Sequence, residues 1–290
     1  MRRSIPRPLA AMARGRSMNL IDPFQFHDLF RHVRSVAVVG NAPCILEYSN
    51  GAAIDSHDLV VRFNRARTAG MEEAIGRRTD VLFVNASNSL QKAPPPEQLC
   101  KPKCLVCFVS PQGVPKLDPA PFREWVGDCP ILMTFGPDLI GLPGLPRLKP
   151  LTSGTYALFV LLRLFEVQKL FVTGFTMFGA VPGGAGKFWG EALPTAAQAH
   201  DLDQEARLFT SILGSFAGEL VVTDEVRALA EQNGVQLGRG PFEQNGRDRR
   251  RTLRQRLADG LAWRFLKIGM RLRRFAEPPG GAPPRPSERP

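Results

Sequence analysis

The stretch VAVVGNAPCILEYSNGAAIDSHDLVVRFNRARTAGMEEAIG, Val36 to Gly76, decides the fold. It opens on a short apolar run that closes on Gly40-Asn41. A strand ending in such a turn presents free backbone N–H groups at the carboxyl edge of a sheet, the edge at which open α/β sheets bind nucleotides. A second apolar run follows at Leu59 to Phe63, and Asp55, His57, Asp58, Arg62, Asn64 and Arg67 are grouped around it. That grouping is too tight around a strand to be only a solvated surface.

Beyond this stretch, short apolar runs alternate with helical patterns, which predicts an α/β domain with a mostly parallel central sheet. Further strands are expected at Val81 to Val84, Leu105 to Val109, Ile131 to Met133, Leu170 to Thr173 and Leu220 to Val222. Helices are expected at Gly154 to Phe165, Asp201 to Leu213 and Asp224 to Gln232, and Pro/Gly-rich loops at Ala93 to Glu97 and Gly136 to Pro150.

The chain has 290 residues, 43% of them hydrophobic, enough to bury one large core. No run of about 18 apolar residues exists, so no transmembrane helix is expected. The basic N-terminus lacks an apolar h-region, so no secretory signal is expected either. The five cysteines, Cys44, Cys100, Cys104, Cys107 and Cys129, form an odd set, expected to be reduced thiols in a cytoplasmic protein. Cys100, Cys104 and Cys107 have metal-like spacing, but CLVCFVS reads as a buried strand, and no metal site is expected.

The net charge of +11 belongs to the two ends. Arg247 to Arg274 carries +9, Met1 to Arg34 carries +5 and the Pro-rich tail is neutral, which leaves −3 for Ser35 to Gly246. This distribution argues against a nucleic-acid protein despite the high pI. Leu257, Leu261, Phe265, Ile268 and Leu272 form an apolar stripe on a helix whose remaining face is rich in arginine, a pattern suited to an anionic membrane surface. The expected organisation is a basic extension at 1–34, an α/β domain at 35–246, a basic amphipathic helix at 247–276 and a disordered tail at 277–290.

Thr152, Ser153 and Gly154 open a helix directly after a proline-rich loop, where hydroxyls and free N–H groups can hold a phosphate. Alone, the same residues read as an ordinary N-cap. His200 and Glu205 form H-x-x-x-x-E, and Asp201 with Gln204 three residues on predicts a helix that starts just after the histidine. A lone histidine is usually structural, so this spacing alone assigns no chemistry.

The opening stretch resembles the large sialylmotif of glycosyltransferase family 29, the sialyltransferases. The matching blocks are Val38 to Asn41, Ile54 to Asp58, Arg62 to Asn64 and Thr68 to Gly70, in order. LTSGTYALFVLLRLFEVQKLFVTGF, ending in Gly174-Phe175, is similar to the small sialylmotif, and His200 with Glu205 to the last short motif. The resemblance implies a Rossmann-like, GT-A-like fold and an inverting transfer of an acidic sugar, sialic acid or a relative such as Kdo, from a CMP donor to a glycan or lipid-linked glycan. It makes His200 the base and Glu205 its support. Asn41, Asn64, Thr152, Ser153, Gly154 and Gly174 become nucleotide-binding positions. Lys187, in Gly186 to Glu191, stands where the family places a histidine near the phosphate.

No cofactor is implied, because CMP leaves with less charge than a nucleoside diphosphate and protein dipoles can serve in place of a metal. Arg62 and Arg67 are expected to organise the fold by pairing with Asp55 and Asp58, the alternative being that the arginines face the donor carboxylate. Family members of the secretory pathway join the two large motifs by a disulfide. The corresponding positions here are Val36 and Phe165, so apolar packing takes its place. This implies a bacterial-type soluble relative, cytoplasmic and peripheral on the inner membrane. Two other readings compete. A Rossmann oxidoreductase is disfavoured because Gly40 to Cys44 lacks G-x-G-x-x-G. A catalytically silent nucleotide-binding or membrane-associated scaffold would not need His200.

Overall fold

A parallel sheet of eight strands forms the centre of the computed structural model, which describes residues 19–85, 101–109, 127–135, 151–178, 187–188 and 200–237. The strands are β1 (Leu20–Ile21), β2 (Ser35–Val39), β3 (Leu59–Phe63), β4 (Val81–Asn85), β5 (Cys104–Val109), β6 (Ile131–Phe135), β7 (Lys169–Thr173) and β8 (Glu219–Val222). Their order is β1-β6-β5-β4-β3-β2-β7-β8. Each pairs in parallel with its neighbours, for example Val38 with both Val61 and Val172. All seven strands expected from the sequence are present, each within two residues of its expected ends. The α/β class and the parallel sheet are as expected.

The central strands read as unbroken apolar runs because helices cover both of their faces. Val36 to Val39 of β2 and all of β3 are buried, Arg62 included. On one face Ala37, Val39, Val60 and Phe171 pack with Ile45, Ile54, Ile75 and Phe188. At the edge, β8 alternates between more and less exposed positions, and Lys169 pairs with Glu219 across it at 2.9 Å.

The helices are α1 (Pro23–Leu29), α2 (Gly51–Asp55), α3 (Glu72–Ile75), α4 (Ser153–Leu164), α5 (Leu202–Gly214) and α6 (Asp224–Gln232), with a 3₁₀ turn at Pro43–Glu47. The three longest match the expected helices; the short ones and the 3₁₀ turn carry too few residues to show a helical period.

Residues 19–34 correct the expected domain boundary. They belong to the sheet-bearing domain, not to a separate basic extension. Leu20 and Ile21 pair with Ile131 and Leu132. Asp22 caps α1 in a full capping box with Gln25, and Pro23 occupies the first turn. Phe26, Phe30 and the His27 ring then close on Phe165, with ring centroids at 5.7, 6.4 and 5.7 Å. Val36 and Phe165 are both buried, and α1 supplies the rings that bury Phe165. The charge of the segment hid this apolar face.

The amphipathic helix at 247–276, the tail at 277–290, the loops at 93–97 and 136–150, and Cys100 lie outside the described residues. The described cysteines are unbridged, and burial pushes the thiols of Cys44, Cys104 and Cys107 up to about 12. No described helix is long and apolar enough to cross a membrane.

Candidate active site

The strand order reverses between β2 and β7: from β2 the sheet runs one way through β3, and from β7 it runs the other way to β8. In such a sheet the crevice for a ligand opens at the carboxyl ends of the two diverging strands. Here those ends are Gly40-Asn41 and Gly174-Phe175. The backbones nearly touch: a Cβ on Gly40 would lie 2.1 Å from the Gly174 carbonyl oxygen. Gly174 adopts φ +76, a left-handed conformation that glycine takes without strain. Gly40 N–H donates to Thr173 O at 2.7 Å, and Ala42 N–H donates to Gly174 O at 3.1 Å.

Asn41 is buried and ties this turn to its surroundings. Its Nδ2 donates to Phe63 O at the end of β3, at 3.2 Å, and its own carbonyl accepts from Phe188 N–H at 3.0 Å. The second bond brings the segment of Lys187 to the turn. Lys187 Nζ stands 5.2 Å from the Phe178 ring centroid, a cation–π distance. Asn64 lies just beyond β3 at φ +55, a region asparagine tolerates better than most residues, and its N–H donates to Phe83 O at 2.8 Å.

Phe175 joins the turn to α4. Its ring lies against Phe63 and Phe209, with centroids at 5.7 and 5.1 Å. A Cβ on Gly154 would come within 2.3 Å of the same ring, so the glycine lets the head of α4 close onto the strand end. Thr152 is the N-cap residue of α4, but its side chain makes no capping bond to that helix. Its N–H donates to Glu205 Oε1 at 2.9 Å and its hydroxyl donates to the same oxygen, as does Thr155 Oγ1 at 2.5 Å. The Thr152 hydroxyl is thus directed to a carboxylate and not to the amides at the head of α4.

Glu205 is 1% exposed. Burial raises its pKa, and the bonds from Thr152 and Thr155 and the nearby His200 work against that rise. His200 is half-buried and stands one residue before Asp201, which caps α5 by accepting from Gln204 N–H at 3.1 Å. The helix start expected from Asp201 and Gln204 is therefore present. Glu205 holds the head of α5, and with it His200, to the head of α4.

The polar residues of the opening stretch do organise the fold, but largely through the backbone. Arg62 donates to the carbonyls of Arg78, Ile75 and Gly76 at 2.8, 2.5 and 3.2 Å. Asp55 accepts from the N–H groups of Arg77 and Arg78, and Asp58 from those of Arg34 and Ser35. The Arg34 and Ser35 N–H groups hold the Asp58 carboxyl below the usual carboxylate range. Arg67 keeps a buried Nε without a hydrogen-bond partner. His57 Nδ1 donates to Ala53 O at 2.8 Å.

Three contributors escaped the sequence reading. Phe175 carried no signal beyond its place in Gly-Phe, and Tyr48 sat in an unassigned 3₁₀ turn. Glu225 looked like one more acid in the first turn of α6, an ordinary dipole partner, yet it is buried and bonded to Gly174 N–H at 2.7 Å.

Comparison with known proteins finds that residues 18–105 match the model of glycosyltransferase family 29 (sialyltransferase). Sialyltransferase-like protein 2 of Oryza sativa subsp. indica is 46% identical over 59 residues, which cover 20% of this chain and 15% of that protein. Beta-galactoside alpha-2,6-sialyltransferase 2 of Pan troglodytes is 42% identical over 79 residues, 27% of this chain and 15% of that protein. The chain thus spans about one seventh of the length of these two relatives. A solved mammalian sialyltransferase in complex with Gal-beta-1-3GalNAc-ortho-nitrophenol aligns at 22% identity and a TM-score of 0.44, over 75% of this chain and 77% of that one.

Proposed function

We propose that this chain is a glycosyltransferase of family 29 that moves an acidic sugar from a CMP donor to a glycan hydroxyl. The observation that carries the reading is the meeting of Gly40-Asn41, Gly174 and the head of α4 at one switch point, with His200 at the head of the helix tied there by Glu205. The family match over residues 18–105 supports the reading for the first of these elements.

In the proposed reaction the acceptor oxygen attacks the anomeric carbon from the face opposite the phosphate. The new C–O bond forms as the bond to the phosphate oxygen breaks, and the configuration inverts. His200, as the neutral imidazole, takes the acceptor proton. The electron pair of the broken bond leaves on CMP, stabilised by the first amides of α4, Ser153 and the Lys187 ammonium. Asn41 and Asn64 flank the nucleotide at the ends of β2 and β3. Thr152 and Glu205 act behind these residues by fixing the two helix heads.

The donor sugar is sialic acid or another CMP-linked acid such as Kdo, and the acceptor is a glycan or lipid-linked glycan. The basic segment at 247–276 is proposed to hold the enzyme on an anionic membrane surface, on the cytoplasmic side. The absent cysteine pair supports a reducing compartment and a bacterial-type enzyme, although the two relatives named above are eukaryotic. The test is CMP release from CMP-sialic acid and CMP-Kdo with a panel of galactose-terminated and lipid-linked acceptors. Acceptor-dependent release that vanishes in His200→Ala supports the proposal; no release with any acceptor, at full donor occupancy, overturns it.

A further inference from the structure

The carboxylate of Glu225 joins the turn after β7 to the far end of the 3₁₀ turn that follows β2. Strand β8 ends at Val222, so beyond Thr173 it no longer offers carbonyls to β7. Glu225 Oε1 fills that place by accepting from Gly174 N–H at 2.7 Å and from Thr223 Oγ1 at 2.5 Å. Thr223 Oγ1 lies 3.1 Å from Thr173 Oγ1, and Thr223 N–H donates to Val172 O at 3.3 Å. The peptide so fixed carries the Thr173 carbonyl, which accepts from Gly40 N–H at 2.7 Å, and the Gly174 carbonyl one peptide further on accepts from Ala42 N–H at 3.1 Å. The other carboxylate oxygen, Oε2, accepts from the Tyr48 hydroxyl at 3.0 Å, at the far end of the 3₁₀ turn that follows Asn41. Glu225 is 6% exposed, and burial, with the negative charge of Glu225 second, pushes the Tyr48 phenol above its ordinary range.

We infer that Glu225 is the positioning residue of the nucleotide turn, acting through the Thr173–Gly174 peptide at Gly40 and through the hydroxyl at Tyr48. The inference rests on the proposed function for what the turn binds, while the clamp itself is a property of these bonds. No other described carboxylate joins the turns after β2 and β7. A side chain acting through one peptide and one hydroxyl should govern how tightly the turn holds its ligand more than whether the domain folds. Its loss should raise the donor KM with little change in the acceptor KM.

The test compares Glu225→Ala, Glu225→Gln and Tyr48→Phe in the full chain by amide hydrogen exchange and by CMP titration. Gln keeps an acceptor for Gly174 N–H and turns its amide toward Tyr48, so it should restore most of the effect. Exchange in the peptide covering 38–48 should quicken by about tenfold in Glu225→Ala and by less in Tyr48→Phe. Affinity for CMP should fall about tenfold in Glu225→Ala and by no more than about threefold in Glu225→Gln. Unchanged exchange in this peptide in Glu225→Ala, or in Tyr48→Phe where the alanine variant does not fold, overturns the inference. The exchange effect in the variants, together with no binding of CMP by the wild-type protein, keeps the clamp and overturns the proposed function.

Discussion

Replacing Gly40 by alanine tests whether the closest backbone approach in the sheet is as tight as described. The added Cβ would lie 2.1 Å from Gly174 O and 2.6 Å from Gly174 C, and neither is the end of a flexible side chain. To reach ordinary contact the ends of β2 and β7 must part by about 1 Å. That movement stretches Gly40 N–H···O Thr173 and Ala42 N–H···O Gly174, now 2.7 and 3.1 Å. Overpacking a close-packed site costs about 1–3 kcal/mol, and each weakened bond adds about 0.5–1.5 kcal/mol. The expected loss is therefore about 2–6 kcal/mol. Gly70→Ala is the control: φ is +80 there and nothing lies within 4 Å of a Cβ, so only the left-handed penalty of about 1–2 kcal/mol applies. Urea unfolding with a shared m-value measures both. A Gly40→Ala protein no less stable than Gly70→Ala would refute the back-to-back packing of the two turns.

Four further outcomes are expected. Burial raises the Glu205 pKa in the folded state, so the folded chain binds its proton more tightly than the unfolded chain. The contribution of this group to stability is then fullest below the ordinary carboxylate range and declines as pH rises to the raised value. Glu205→Gln keeps an acceptor for Thr152 and Thr155 without the charge, so wild type minus variant stability should fall with pH between 4 and 8, as read by thermal melts; a flat or rising difference counts against it. Arg62→Met leaves the buried carbonyls of Ile75, Gly76 and Arg78 without this donor and should cost at least about 3 kcal/mol in urea unfolding, whereas a loss below about 1 kcal/mol would contradict the role. His200→Ala should lower turnover by about 10²–10⁴-fold while CMP affinity stays within about threefold, as measured by single-turnover kinetics and calorimetry. Activity should persist in EDTA; abolition with rescue by Mn²⁺ would sink the metal-independent reading.

The parallel sheet was legible because its strands are continuous Val/Leu/Ile runs that can be stable only when covered on both faces. The helix heads were legible for a related reason: Asp201 with Gln204 is a local signal. What escaped was set by contacts far apart in the chain. Phe26 and Phe30 needed Phe165, more than 130 residues away, to reveal residues 19–34 as part of the domain. The Thr152–Glu205 bonds span 53 residues, and Glu225 reaches Tyr48 across 177. No periodicity carries such information. The arginines and aspartates of the opening stretch were read as mutual ion pairs, since charges suggest charges. The structure directs Arg62 and Asp55 to backbone groups, because the turn between α3 and β4 leaves carbonyls and N–H groups that no strand pairs, and Asp58 to the N–H groups of Arg34 and Ser35 at the start of β2.

Calorimetric titration of the full chain with CMP, CDP, UDP, GDP and NAD tests most directly whether the switch point between β2 and β7 is a CMP site. CMP should bind best, and Asn41→Ala should weaken it at least about tenfold, the loss of a buried, well-placed polar contact. Binding of NAD alone, or CMP affinity indifferent to Asn41, would contradict a CMP site there.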